Sequence, residues 1–204
     1  MAKVLNRPTS VELPPASLPS LETRYRMVCD VVPDYRVELV NARIVVNEVP
    51  TGAHNDIIAL LLFQITGFLI KKNWRPWTNI KVFLGAQADR YIPDLAIVPK
   101  NPRMWGDDEV YAECVKLVVE VVSPSSVHDD YDIKPSAYAA AGVPVFLRVD
   151  PMKQTISLFA DPRDNRYRTE HHVEAGKRLD LPEPWNLALD TGALIESPPE
   201  EQAE

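Results

Sequence analysis

Leu117-Val118-Val119-Glu120-Val121-Val122-Ser123 is the stretch on which the reading of this chain turns. A continuous β-branched run closed by Ser123-Pro124 is the pattern of a sheet strand buried on both faces. One carboxylate, Glu120, stands in its middle. Burying an ionised Glu there is costly unless a cation or several donors meet it. Strand alternation puts Lys116, Val118, Glu120 and Val122 on one face, and Leu117, Val119 and Val121 on the other. Glu120 could be satisfied structurally by Arg148 on a neighbouring strand. An isolated acid in a buried strand is also a functional-site candidate.

Working outward, a second acid opens another apolar strand, Tyr91-Ile92-Pro93-Asp94-Leu95-Ala96-Ile97-Val98. Taken alone, Pro93-Asp94 usually marks a turn before a strand. Lys134 lies downstream of Glu120, four residues before Tyr138, so both fall on one helix face. Pro135 is tolerated only in a first helical turn, which places Lys134 at the helix start with Asp130 or Asp132 as cap. Two acids on neighbouring strands and a nearby lysine are the raw material of a metal-dependent phosphodiesterase site.

The remaining body alternates in the same way. Tyr35–Val40 and Arg43–Val46 form a hairpin around Asn41-Ala42. A helix runs from Thr51-Gly52-Ala53-His54-Asn55 to about Lys72; its apolar residues surround it almost entirely, predicting a core helix. Lys71 and Lys72 suit its C-terminal end. Strands follow at about 78–84, 92–98 and 116–122, then a helix over 132–141 ended by Gly142 as C-cap. Pro144–Val149 is a further strand, and Gln154–Ala160 with Tyr167–Val173 a final antiparallel pair. The strand–helix–strand unit over 116–149 reads as a right-handed βαβ crossover. The expectation is an α/β domain, a mixed β-sheet flanked by helices.

A length of 204 residues bounds the answer to one domain with a sizeable core. Residues 1–24, rich in Pro and Ser, and the acidic 191–204 read as flexible tails around a domain at 25–190. A net charge of −7 argues against a protein that coats nucleic acid through a general positive field, but not against a nuclease with local contacts. Cys29 and Cys114 match no metal or redox spacing and read as reduced thiols. Met1–Leu21 lacks the apolar core of a signal peptide. Ile57–Ile70 is interrupted by Gln64 and Thr66 and is shorter than a membrane span. A cytoplasmic protein is expected, with no membrane partner.

The other candidates carry less. Glu38 alternates with Val37 and Leu39 and is a solvated strand residue or a third carboxylate. His54 reads as a capping or loop histidine, His171 and His172 as surface residues, and Asp107-Asp108-Glu109 as a solvated loop. No glycine-rich phosphate loop, nucleophile elbow, HExxH or Cys/His zinc spacing is present.

Pro93-Asp94, Val119-Glu120-Val121-Val122-Ser123-Pro124-Ser125-Ser126, Asp130, Lys134, Tyr138, Ala141-Gly142-Val143-Pro144 and Val149-Asp150-Pro151 together resemble the Uma-two family of restriction-endonuclease-like proteins. That family resembles the PD-(D/E)xK nuclease superfamily. The match runs from about Tyr35 to Val173. It implies a restriction-endonuclease-like fold and a Mg²⁺ or Mn²⁺ site made by Asp94, Glu120 and the Val121 carbonyl, with Glu38 as an added acid. The superfamily's lysine position is occupied here by Val122; the resemblance assigns the role to Lys134. Asn41-Ala42 also replaces the usual Asp-Gly turn. The function implied is metal-dependent endonucleolytic hydrolysis of DNA, for which a homodimer would suit cutting both strands. A catalytically inert binding or regulatory module on the same fold is the alternative.

Overall fold

The Glu120 strand lies where its apolar run places it. In a computed structural model describing residues 19–47, 49–85 and 89–195, strand β8 (Leu117–Val121) is buried throughout. It pairs antiparallel with β6 (Leu95–Pro99), Leu95 opposite Val119, and parallel with β9 (Val145–Asp150), Glu120 opposite Arg148. The sheet continues through the hairpin of β10 (Thr155–Arg163) and β11 (Arg166–Glu174) on one side and β3 (Trp74–Trp77) on the other, in the order β11-β10-β9-β8-β6-β3. The parallel β8–β9 pair requires a crossover, supplied by a π-helical turn (Asp129–Ile133) running into helix α3 (Lys134–Ala140).

A second sheet has the order β2-β1-β5-β4-β7. Its strands are β1 (Arg36–Val40), β2 (Arg43–Asn47), β4 (Lys81–Phe83), β5 (Arg90–Tyr91) and β7 (Glu109–Tyr111). A two-stranded ribbon, β12 (Arg178–Leu181) with β13 (Leu187–Asp190), completes the described elements. The mixed α/β architecture matches the sequence expectation. The β1–β2 hairpin turns at Asn41 and Ala42, both left-handed with φ of 47° and 59°, the backbone of a primed two-residue turn.

Helix α2 (Gly52–Lys72) starts at an N-cap Thr51 and stops at Asn73, whose left-handed backbone ends the helix. Its inner residues Ile57, Leu61, Ile65 and Leu69 pack against Leu117, Val119 and Val121. The expected all-round burial is not what forms. Phe63 is 78% and Ile70 72% exposed, because α2 covers one sheet face and no described element covers its outer side. By length and composition alone α2 is long and apolar enough to cross a membrane, with a mean hydropathy of 1.5. The apolar stretch read over Ile57–Ile70 as shorter than a membrane span is thus part of a longer helix of 21 residues.

The opposite sheet face carries Val118, Phe146 and Phe159 and packs against Tyr138, Ala139 and the second sheet. A third cluster joins helix α1 (Leu21–Val31) to Val37 and Leu39 through Tyr25. Packed structure thus extends past both expected boundaries: α1 begins at Leu21, and Thr191, Leu194 and Ile195 are buried. Residues 1–18 and 196–204, where the rest of the expected tails falls, lie outside the described residues. The expected solvated loop at Asp107-Asp108-Glu109 is also corrected at its last residue. Glu109 is 1% exposed and pairs with Arg90 at 2.8 Å and Arg26 at 2.7 Å. Cys29 and Cys114 are free and half-buried.

Candidate active site

Backbone geometry after β8 aims the charged groups. In the π-turn the Lys134 N–H reaches back five residues to the Asp129 carbonyl, widening the helix by one residue before α3. Single π-turns inside α-helices are frequent at functional sites. Asp130 and Lys134, four apart, share one helical face and both point inward. Pro135 is at the start of α3, but the helical run is continuous from Val127, so it is the preceding π-turn that accommodates a residue with no N–H to donate. Asp130 does not cap this helix, as the sequence suggests; its Oδ2 accepts from Ser126 Oγ at 2.5 Å and its Oδ1 lies 2.9 Å from Lys134 Nζ.

Lys134 Nζ also lies 3.0 Å from Glu120 Oε2, and the Tyr138 hydroxyl donates to Glu120 Oε1 at 2.7 Å. Glu120 is 2% and Lys134 5% exposed. Although Arg148 is Glu120's register partner, it does not pair with it. Its guanidinium donates to the Asp130 carbonyl and Ser157 Oγ and stacks on Tyr131 at 3.7 Å.

Asp94 joins this chain through the backbone: its Oδ2 accepts the Val121 N–H at 2.8 Å. Its Oδ1 receives Arg36 Nη1 at 2.9 Å and faces His54 Nε2 at 3.1 Å. Glu38 fixes the turn before Asp94, accepting the Ile92 N–H at 2.5 Å and the Asn47 amide. Arg36, Glu38, His54, Asp94, Glu120, Val121, Asp130 and Lys134 all line one cleft of about 420 Å³.

The protonation states follow from this crowding. Burial pushes the Glu120 carboxyl well above its usual range, and the acids Asp130, Asp94 and Glu38 add to the effect against Lys134. Burial opposes charge on Lys134, but Glu120, Glu38 and Asp130 outweigh it and hold its pKa well above normal. For Asp94 burial is likewise outweighed, by His54, Arg36 and the Val121 N–H, so its carboxyl stays below the ordinary value. These shifts favour the charged forms of Lys134 and Asp94 and a proton on Glu120.

Comparison with known proteins gives the family and the fold. The profile of the family described as Uma2, "Putative restriction endonuclease", matches residues 22–193. The chain belongs to the Uma2 family. A solved structure, a "putative nuclease belonging to DUF820" from Anabaena variabilis, superposes with a TM-score of 0.63 at 16% identity, covering 78% of this chain and 89% of that one. At that identity the likeness is one of fold. No curated protein matches the chain.

In this Uma2 protein, then, the sequence-read Asp94, Glu120, Val121, Lys134 and Glu38 are gathered in one cleft. Arg36, His54 and Asp130 complete it, and Tyr138 supports Glu120 from the core beneath. Their signal was weak in sequence, because Arg36 and His54 meet Asp94 only across the fold. Oxygen donors of this kind suit a hard divalent cation. Four carboxylates face two fixed cations in the cleft, a formal excess of two negative charges with His54 neutral. Among the described residues no three His, Cys, Asp or Glu side chains are close enough to cage an ion. The donor types and charge fit a divalent ion, provided Arg36 gives way at Asp94.

Proposed function

We propose that this chain is a Mg²⁺- or Mn²⁺-dependent endonuclease that hydrolyses DNA phosphodiester bonds in the Asp94–Glu120 cleft. The observation that carries the reading is the buried relay from Asp94 through the Val121 N–H to Glu120, Lys134 and Asp130 at the wall of an open cleft. Asp94, Glu120 and the Val121 carbonyl are the groups that would hold the ion. Once bound, such an ion lowers the pKa of its water and offsets charge growing on the phosphate.

The chain's own groups have separable roles. Lys134, kept protonated by the surrounding acids, acts as a fixed cation facing a phosphate in the cleft, not as a proton-abstracting base. Tyr138 holds Glu120 in its rotamer, and Asp130 holds Lys134. Glu38 is spent on the Ile92 N–H and Asn47, so it positions the Pro93-Asp94 turn. Arg36 supplies a second positive charge within phosphate reach. Cutting both strands of a duplex suits two copies acting together.

One observation favours a second reading, an inert nuclease-fold binding module. Both Glu120 oxygens are already occupied, by Lys134 and Tyr138. A panel of duplex DNA, single-stranded DNA and RNA, each with Mg²⁺, Mn²⁺ or chelator, separates the two. Metal-dependent cleavage of duplex DNA supports the nuclease. Binding to any of them without cleavage under all metal conditions supports the module.

A further inference from the structure

His54 is explained poorly by the capping role its position suggests. The capping bond is made by its backbone N–H, to Thr51 Oγ1 at 3.3 Å, which leaves the ring free. The ring reaches the cleft, and its Nε2 is buried with no hydrogen-bond partner among the described residues. It lies 3.1 Å from Asp94 Oδ1 yet out of line for a hydrogen bond. A buried polar atom left this way is costly and calls for a partner.

We propose that His54 Nε2 is a direct ligand of the divalent cation held at Asp94, and that this nitrogen makes the site prefer Mn²⁺ to Mg²⁺. The proposal rests on the reading that the cleft binds a cation at all. Geometry supports it. Nitrogen and oxygen ligands about 2.0–2.2 Å from an ion and at right angles to each other lie about 3 Å apart. The Nε2–Oδ1 spacing of 3.1 Å has that value. A divalent ion seated between the two atoms would bind both and satisfy Nε2.

Arg36 now takes the same Oδ1, but its Nη2 also donates to the Ile92 carbonyl. It therefore has an anchor when Asp94 is claimed by a metal. His54 stands in the first turn of the long helix α2, a rigid platform that keeps the ring in place. Imidazole suits transition metals, whereas Mg²⁺ favours all-oxygen surroundings. A site in which an imidazole nitrogen stands beside the Asp94 carboxylate thus differs in metal selectivity from an all-carboxylate one.

The test is electron spin-echo modulation of Mn²⁺ bound to the full chain, with calorimetric titrations of Mn²⁺ and Mg²⁺ alongside. The proposal expects ¹⁴N modulation of directly bound imidazole in the unmutated protein. In His54→Phe, which keeps a ring without nitrogens, that modulation disappears, and the Mn²⁺ affinity falls by about tenfold or more while Mg²⁺ changes little. Mn²⁺ binding without ¹⁴N modulation, or modulation that survives His54→Phe, overturns the role of His54 and leaves the nuclease reading standing. Absence of any Mn²⁺ binding sensitive to Asp94→Asn overturns both.

Discussion

Lys134→Met isolates the energetics of the buried pair. Lys134 and Glu120 are 5% and 2% exposed, with Asp130 on the lysine's other side at 2.9 Å. Removing one partner of a buried ion pair typically costs about 3–5 kcal/mol, because the other charge is left uncompensated. Glu120 has an escape: it can take up a proton. From a carboxyl reference pKa of about 4.3, protonation at pH 7 costs about 1.4 kcal/mol per pH unit, or roughly 3–4 kcal/mol in all. At pH 5 the same step costs only about 1 kcal/mol. The sign is fixed by linkage. A Glu whose folded pKa is raised binds more protons in the folded state, so stability falls as pH rises above the reference value. Burial already raises Glu120, and losing Lys134 removes the main influence that lowers it. Urea denaturation at pH 5, 6, 7 and 8 should therefore show a destabilisation that grows with pH, from about 1 kcal/mol at pH 5 to about 3–4 at pH 7, and reaches the ceiling of about 5 set by a charged, unpaired Glu120 by pH 8. The double variant Lys134→Met/Glu120→Gln should recover much of the loss at pH 8. A pH-independent penalty, or one below about 1 kcal/mol at pH 8, would refute the reasoning.

Three further outcomes are expected from elsewhere in the fold. Glu109→Ala strips the buried partner of Arg90 and Arg26 and should cost about 3–5 kcal/mol in chemical denaturation. Ala42→Gly relieves a left-handed alanine with φ of 59° and should raise stability by about 1 kcal/mol, read as an upward shift in Tm. Phe63→Lys on the exposed face of α2 should change the stability of the isolated chain by less than about 0.5 kcal/mol.

What was legible in the sequence was local. The Glu120 strand announced itself because an acid interrupts a β-branched run, and the β8–helix–β9 crossover because its pattern switches from apolar run to helix and back. Lys134 is readable as an early residue of α3, but the π-turn before it is not, since nothing in the residues of 129–133 signals an extra residue per turn. Arg36 and His54 stand 58 and 40 positions before Asp94, and only the fold brings them to its carboxylate. Glu109 failed for the same reason: a run of acids looks solvated until the arginines that neutralise it are placed. Helix α2 shows the reverse: an apolar pattern on all sides predicts burial on all sides, yet only one side meets the sheet and Phe63 and Ile70 stay exposed. Helix α1 hid in a polar segment whose buried anchor is the single residue Tyr25.

The central claim is that the Asp94–Glu120 cleft cuts DNA with a bound divalent ion. It is tested most directly by nicking of supercoiled plasmid by the purified chain in Mn²⁺ or Mg²⁺, with Asp94→Asn and Glu120→Gln as matched, folded controls. The account requires strand cleavage that stops on chelation and falls by about 10²–10⁴-fold in either variant. Cleavage that survives both substitutions, or a metal-loaded native chain that leaves the plasmid intact, would contradict it.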